Sequence, residues 1–447
     1  MFLQRKAYQK ILDWKKRSCG STALLLNGAR RVGKSYLAEH FAKQEYRSYI
    51  LVDFSKLHPD VKLIFESHGH DIQLFLTSLS LFYGVNLFER QSVIIFDEVQ
   101  LYPQARQMIK HLVADGRYDY METGSLLSIK QNVSDILIPS EEEGIEVFPL
   151  DFEEFLLAMG NESLYVFIKK CFDALTPLGQ ALHGKAMENF RTYMLVGGMP
   201  QAVLEYVNTR DFEKVDRIKR NILNLYRADI GKYAGVHKGK VSAIFDSLPG
   251  QLSKKEKKYK LSSIDKNARQ RAYEDAFMWL SDGMIVNPCF NATDPGFAIG
   301  LSLEHTTQKI YLADTGLLVT HAFGDGNFIH NEIYKGILLD KLNINEGMIM
   351  ENVIAQTFRA TGYRLFFYSR SNAHDRKNNI EIDFMIRHKN KPSPVEVKSS
   401  SYKKHSSLDK FRVKFEKKIG ESFLLYQKDV MVKDGVIHLP LYMGIFL

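Results

Sequence analysis

One run of eight residues has the types and spacing for phosphate chemistry: Gly28-Ala29-Arg30-Arg31-Val32-Gly33-Lys34-Ser35, a complete G-x-x-x-x-G-K-[ST] pattern. It follows the apolar Leu24-Leu25-Leu26 and leads into a helical pattern, so a strand, a tight loop and a helix N-terminus are expected in that order. Such a loop turns its backbone N–H groups inward, and the helix end adds the positive pole of its dipole, so a phosphate chain is well held there. Gly28, Ala29, Arg30, Arg31, Val32 and Gly33, with Lys34, Ser35 and Tyr36 at the helix start, form the expected nucleotide-binding set. Lys34 would reach the β- and γ-phosphates, and Ser35 would ligate Mg²⁺. Arg30 and Arg31 could touch phosphate, a neighbouring subunit or only solvent.

The complementary half lies in Val93-Ile94-Ile95-Phe96-Asp97-Glu98, a buried strand pattern ending in two carboxylates. Asp97 would contact Mg²⁺ through water, and Glu98 would polarise a water for attack on the terminal phosphate. The strand after it ends in Thr123-Gly124-Ser125, where the Thr123 hydroxyl could sense the γ-phosphate or serve a plain turn. Asp53, at the end of Tyr49–Val52, is similarly placed and could only cap a loop. No Asn-Lys-x-Asp guanine-reading pattern is present, so ATP is favoured over GTP.

A second constellation lies near the C-terminus. In Ile380–Ile386 the apolar residues alternate, so Glu381 and Asp383 share the opposite face. Val395-Glu396-Val397-Lys398 alternates likewise, and if the two strands pair, Asp383, Glu396 and Lys398 converge. Glu351 precedes Ile354 by three residues and Phe358 by seven, which puts its carboxylate on the sheet-facing side of a helix. A buried charge there requires a cation or donor partner.

The elements that must position these groups divide the 447 residues into two styles. Candidate strands Ala23–Asn27, Tyr49–Phe54, Ser92–Phe96, Asp119–Thr123 and Glu146–Pro149 alternate with helices such as Ser35–Lys43 and Gln104–Ala114, the pattern of a parallel sheet covered on both faces. From Phe152 to about Ala234 the pattern is helical. Helix, lysine-rich turn, helix and strands follow, with the strands at Ile285–Pro288 and Lys309–Leu312, either a winged-helix outline or a small helical domain. After Phe323–Asn331 comes a helix at Met348–Ala360 and strands at Leu365–Tyr368, Ile380–Ile386, Pro394–Lys398 and Ser422–Gln427.

Composition is that of an ordinary globular chain, 45% hydrophobic and 25% charged. No apolar run approaches the roughly 18 residues of a membrane span, and the N-terminus lacks the apolar core of a signal peptide. Three scattered cysteines fit neither a disulfide framework nor a zinc site and suit a reducing compartment, so a cytoplasmic protein without a membrane partner is expected. Residues 341–447 hold 19 Lys and Arg against 11 Asp and Glu, whereas the other 340 residues hold 41 of each. The whole excess of +8 therefore sits in the last quarter, which points to a polyanion such as DNA or to a solvated lysine-rich surface.

Gly28–Ser35, Asp97-Glu98, Thr123-Gly124-Ser125, the run Val147–Phe155 and Gly197-Gly198-Met199-Pro200 together resemble an AAA-type P-loop ATPase of the archaeal-ATPase group, related to the STAND ATPases, over about residues 1–320. In that group the G-G-x-P motif helps couple nucleotide to the lid helices; read from the residues alone it is equally a helix-breaking turn. Arg227 is only a candidate for an arginine finger. Residues 346–427 resemble the PD-(D/E)XK nuclease superfamily, and that resemblance implies that Asp383, Glu396 and Glu351 hold Mg²⁺ while Lys398 positions the attacking water. The basic residues Arg370, Arg376, Lys377, Lys403, Lys404, Lys410 and Arg412 flank this centre.

The expected fold is thus α/β: a P-loop parallel sheet with helices on both faces (1–150), a helical lid (151–235), a winged-helix-like domain (236–322) and a small α/β nuclease-like domain (332–447). The expected function is ATP binding and hydrolysis, with ATP and Mg²⁺ as cofactors, coupled to a basic C-terminal domain that acts on DNA. The alternative is a nucleotide-dependent signalling or scaffold ATPase whose C-terminal domain binds a partner without cutting. Homo-oligomerisation is left open by the sequence.

Overall fold

A computed structural model describes residues 3–124, 140–254, 258–266, 269–296, 299–324, 330–338, 346–370, 379–399 and 406–447. Two compact units result: residues 4–148, and Leu3 with residues 149–447.

The first unit contains β1 (Ala23–Asn27), β2 (Ser48–Asp53), β3 (Ser92–Asp97), β4 (Asp119–Gly124) and β5 (Glu142–Glu146), with α1 (Lys6–Ser18), α2 (Lys34–Glu45), α3 (Pro59–His68), α4 (Ile72–Tyr83) and α5 (Pro103–Asp115). All five strands run parallel in the order β2-β3-β4-β1-β5. The inner strands β3 and β4 are buried along their whole length; β3 accordingly reads as the unbroken apolar run Val93–Phe96, whereas β4 buries Asp119, Glu122 and Thr123 along with Tyr120 and Met121. One core packs Phe54, Phe65, Phe75 and Phe96 with Ile94 and Ile109. The fifth strand begins four residues earlier than the sequence suggests. Its residues Glu142–Glu146 form a polar sheet edge, and the apolar Val147 that follows instead donates its N–H to Asn27 O at 2.7 Å.

The second unit begins with helices α6 (Phe152–Ala158), α7 (Glu162–Ala174), α8 (Gln180–Val196), α9 (Pro200–Thr209), α10 (Phe212–Tyr233), α11 (Lys238–Leu252) and α12 (Glu274–Asp282). It continues with β6 (Val286–Ala292), β7 (Leu303–Leu312), α13 (Thr315–Ala322), α14 (Asn331–Leu338), α15 (Glu346–Ala360), β8 (Leu365–Arg370), β9 (Ile380–His388), β10 (Lys391–Val397), α16 (Ser406–Phe415), β11 (Ser422–Tyr426), β12 (Met431–Lys433) and β13 (Val436–Pro440). One mixed sheet has the order β12-β13-β11-β10-β9-β8-β6-β7.

That sheet spans the expected division at 322–332. Strand β6 pairs with β7 as a wing would, but it also pairs in parallel with β8, Cys289 opposite Leu365. The strands assigned to a winged-helix-like domain therefore extend the sheet that the sequence placed in a separate C-terminal domain. The partner of β6 lies far along the chain, and strand alternation alone carries no information about which strand will be the neighbour.

Candidate functional site

In the first unit, the loop after β1 and the C-terminal ends of β3 and β4 bring the expected nucleotide residues to one edge of the sheet, where α/β folds bind ligands. The loop is shaped by close approach: a Cβ on Gly28 would run into Val147 O, and Gly33 holds φ +91° immediately before α2. Lys34 is buried, and its Nζ donates to the carbonyls of Gly28 at 2.9 Å and Ala29 at 3.0 Å. Burial pushes its pKa down to about 8, with the charges of Glu98 and Asp97 pulling the other way. Arg30, Arg31 and Tyr36 are exposed at the loop and helix start, while Ala29 and Val32 are buried beneath it.

Asp97 ends β3 and is raised above the usual carboxylate range by burial, an effect that hydrogen bonds from Ser35 and Thr123 offset. Ser35 and Asp97 thus lie side by side, a hydroxyl and a carboxylate of the kind that hard Mg²⁺ prefers, and the pair fits the expected ion. Thr123 is fully buried; its hydroxyl donates to Asp97 Oδ1 and accepts the Glu98 N–H at 3.2 Å. It bonds both members of the Asp97-Glu98 pair. Glu98 itself has φ 55° and ψ 46°, a left-handed conformation rare for a side-chain-bearing residue and characteristic of functional turns. The Gln100 amide donates to Glu98 Oε2, a contact that no motif in the sequence signals. Ser125, the other hydroxyl of that strand end, lies outside the described residues.

In the second unit, Gly197 and Gly198 end α8 where space is short. A Cβ on Gly197 would meet the Asp314 carboxylate, and one on Gly198 would meet Leu150 O. A closed ring of hydrogen bonds explains the crowding. Leu150 N–H donates to Gly198 O at 2.7 Å, Gly198 N–H to Asp314 Oδ2 at 2.6 Å, and Thr315 N–H to Gln356 Oε1 at 2.8 Å. Gln356 Nε2 donates to Tyr193 Oη at 2.9 Å, and Tyr193 returns to Leu150 O at 2.8 Å. The ring joins the G-G-x-P turn to α15, the helix that carries Glu351. Arg227, the finger candidate, lies on α10 at 3.4 Å from Asp246 Oδ1.

Further along the sheet, β9 and β10 pair antiparallel, Val395 opposite Phe384, so Glu381, Asp383, Glu396 and Lys398 do come together. Lys398 is ion-paired with Glu396, and Asp383 Oδ2 accepts the Val397 N–H at 2.9 Å. Burial, then the neighbouring Asp383, push Glu396 up to about 7, and its Oε2 is buried with no hydrogen-bond partner. Glu351 is buried and accepts from Tyr311 Oη at 3.1 Å.

The residue that sequence reasoning missed is Lys309 on β7. Its Nζ lies 3.2 Å from Glu381 Oε1, 3.5 Å from Asp383 Oδ1 and 3.9 Å from Glu351 Oε2. Burial alone would lower its pKa, but Glu351, Asp383 and Glu381 outweigh that and raise it, which favours the ammonium form. Among the described residues no three His, Cys, Asp or Glu side chains are arranged to hold a metal ion. The expected ligand set of Glu351, Asp383 and Glu396 does not fit one, because an ammonium group lies among the carboxylates. The only signal in the sequence was the requirement that a buried Glu351 have a cation or donor partner, and it has both, Lys309 and Tyr311. Of the basic residues expected around this centre, Arg376, Lys377, Lys403 and Lys404 lie outside the described residues; Arg370 and Lys410 are exposed, and Arg412 donates to Asp434 O at 2.9 Å.

Comparison with known proteins gives three family matches: an AAA domain over residues 20–156, and two domains of unknown function, DUF8612 over 187–326 and DUF4143 over 346–442. No curated protein matches the sequence. Among solved structures, AMPPCP-bound DnaA from Aquifex aeolicus aligns with TM-score 0.29 and 12% identity over 63% of this chain and 90% of its own. A STAND protein with a tetratricopeptide repeat sensor from Pyrococcus horikoshii gives 0.29 and 12% over 79% and 48%. Cdc6p from Pyrobaculum aerophilum gives 0.25 and 9% over 76% and 97%.

Proposed function

We propose that this chain is an ATP-hydrolysing switch whose AAA-type P-loop domain controls the engagement of its basic C-terminal region with DNA. The observation that carries the ATPase reading is the joining of strand ends: Thr123 on β4 bonds both Asp97 and Glu98 on β3, and Asp97 is hydrogen-bonded by Ser35 of the loop helix.

In this reading Lys34 exchanges its two carbonyl acceptors for phosphate oxygens, and the loop N–H groups between Gly28 and Ser35 hold the phosphate chain. Ser35 and Asp97 would hold Mg²⁺, which when bound neutralises charge on the phosphates. Glu98 accepts a proton from the attacking water, oriented by its left-handed backbone and by Gln100. Steady-state ATPase assays test this: Glu98→Gln should retain nucleotide binding and lose turnover, and equal turnover in Glu98→Gln and wild type would overturn the assignment.

The DNA part rests on the charge excess of residues 341–447 and predicts binding that weakens steeply with salt. Salt-insensitive binding, or none with or without ATP, would remove it. A nuclease reading of the C-terminal region requires Asp383, Glu396 and a divalent ion. Lys309 favours the second reading, a region that binds without cutting, and Mg²⁺-dependent cleavage abolished by Asp383→Ala would reverse that preference.

A further inference from the structure

Lys309 has a place in none of the chemistry described above. Its strand, β7, is the sheet edge, and β6 and β8 separate it from β9. The side chain reaches Glu381 and Asp383 by crossing the sheet face, with its Nζ 5.2 Å from the centre of the Phe367 ring on β8. At 1% exposure it has no access to bulk water. Neither partner set would tolerate the other's removal: the three neighbouring carboxylates, left with only the partly exposed Lys398 nearby, would repel one another, and a buried ammonium without anions is strongly disfavoured.

The end of β7 is also fixed against withdrawal. Asn352 on α15 accepts the Leu312 N–H at 2.8 Å and donates to Leu312 O at 3.0 Å, and Tyr311 bonds Glu351 from the same strand. Strand β7 and helix α15 are thus held in the register that delivers Lys309 to Glu351.

A Mg²⁺ or Mn²⁺ ion needs oxygen donors converging at about 2.0–2.2 Å on one point. An ammonium within 4 Å of all three carboxylates competes for that point both sterically and by charge. We propose that Lys309 is the resident cation of this acidic centre: a tethered ammonium stands in for the divalent ion, and the wild-type centre takes up no metal. The juxtaposition that carries this is one Nζ beside carboxylates from two other elements, α15 and β9. Lys309 lies within the DUF8612 match and the carboxylates within the DUF4143 match. The ion cluster therefore crosses a boundary between sequence families and ties the two segments together. This inference stands independently of the ATPase reading.

The test is Mn²⁺ titration of the full-length, nucleotide-free protein by calorimetry, with thermal unfolding in parallel. Wild type and Asp383→Asn should give the same isotherm, because no ion binds at the centre. Lys309→Met, which keeps the apolar stem and removes the charge, should gain a site at least about tenfold tighter than any Mn²⁺ binding in wild type. Adding Asp383→Asn should remove that site. Mn²⁺ should raise the Tm of Lys309→Met and leave those of wild type and Lys309→Arg unchanged. A wild-type Mn²⁺ site that Asp383→Asn abolishes would overturn the proposal, as would Lys309→Met with no gain in affinity. If Lys309→Met does not fold, the wild-type and Asp383→Asn isotherms decide: identical curves uphold the resident cation, and a difference refutes it.

Discussion

Two buried lysines, one in each unit, have opposite surroundings. Lys34 faces backbone carbonyls, and burial lowers its pKa to about 8. Lys309 faces Glu351, Glu381 and Asp383, which raise its pKa in spite of burial. A cation hydrogen-bonded to carbonyls, with carboxylates near it but not bonded to it, still gains from an arriving phosphate. A cation already among carboxylates has nothing to gain from a ligand and serves to neutralise its neighbours. Burial alone does not distinguish a binding lysine from a structural one; the charge of what faces it does.

The largest effect should come from removing the neutralised lysine. Lys309→Met leaves Glu351, Glu381 and Asp383 with only the partly exposed Lys398 as a neighbouring cation and should cost about 3–5 kcal/mol in chemical denaturation, whereas Lys398→Met, whose ammonium is itself partly exposed, should cost much less. Equal costs would break the comparison from the C-terminal side.

Next is Lys34→Ala, which should change stability little and function greatly. ATP turnover should fall on the order of 10²-fold or more. A non-hydrolysable ATP analogue at 100 times its Kd should stabilise wild type by about 2.7 kcal/mol and the variant not at all. Unimpaired analogue-induced stabilisation in the variant would show that Lys34 does not meet phosphate.

A third buried lysine sharpens the rule. Lys219 on α10 donates to Leu195 O at 2.6 Å and Tyr334 Oη at 3.1 Å, and burial brings it down to about 8, with Asp216 and Asp314 opposing. Its folded pKa lies below the unfolded one, so the fold bears the penalty of the charged form below pH 8 and sheds it as pH rises towards 10.5. Wild type should therefore gain about 2 kcal/mol relative to Lys219→Met between pH 7.5 and 9.5. A gap that shrinks or stays constant would show that Lys219, like Lys309, has its charge already matched.

The smallest effect is expected at Thr123. Thr123→Val removes the hydroxyl shared by Asp97 and the Glu98 N–H while conserving shape, and should cost about 1–2 kcal/mol in stability. Turnover should fall while nucleotide affinity is retained, as measured by kcat against analogue Kd. A fall in affinity alone would place Thr123 on the ligand rather than on the carboxylates.

The nucleotide unit was the more legible of the two. Its loop is contiguous in sequence and follows the apolar Leu24-Leu25-Leu26, and β3 reads as an apolar run ending in Asp97. Only β5 was misplaced, because as a polar edge strand it lacks that signature. The acidic centre was legible in part. Period-two alternation put Glu381 with Asp383 and Glu396 with Lys398, and helical spacing put Glu351 on a buried face.

What the sequence determined by itself was local: the phosphate loop, the Asp97-Glu98 strand end, the helical run after Phe152, and the requirement that a buried Glu351 find a cation or a donor. What only the tertiary structure decided was which cation. Parallel pairing of β6 with β8 places β7 on the same sheet as β9, and a lysine that reads as an ordinary strand residue becomes the counter-ion of three carboxylates. Local patterns specify which way a side chain points, but strand order is set by long-range packing, and a charge learns its partners only from that order.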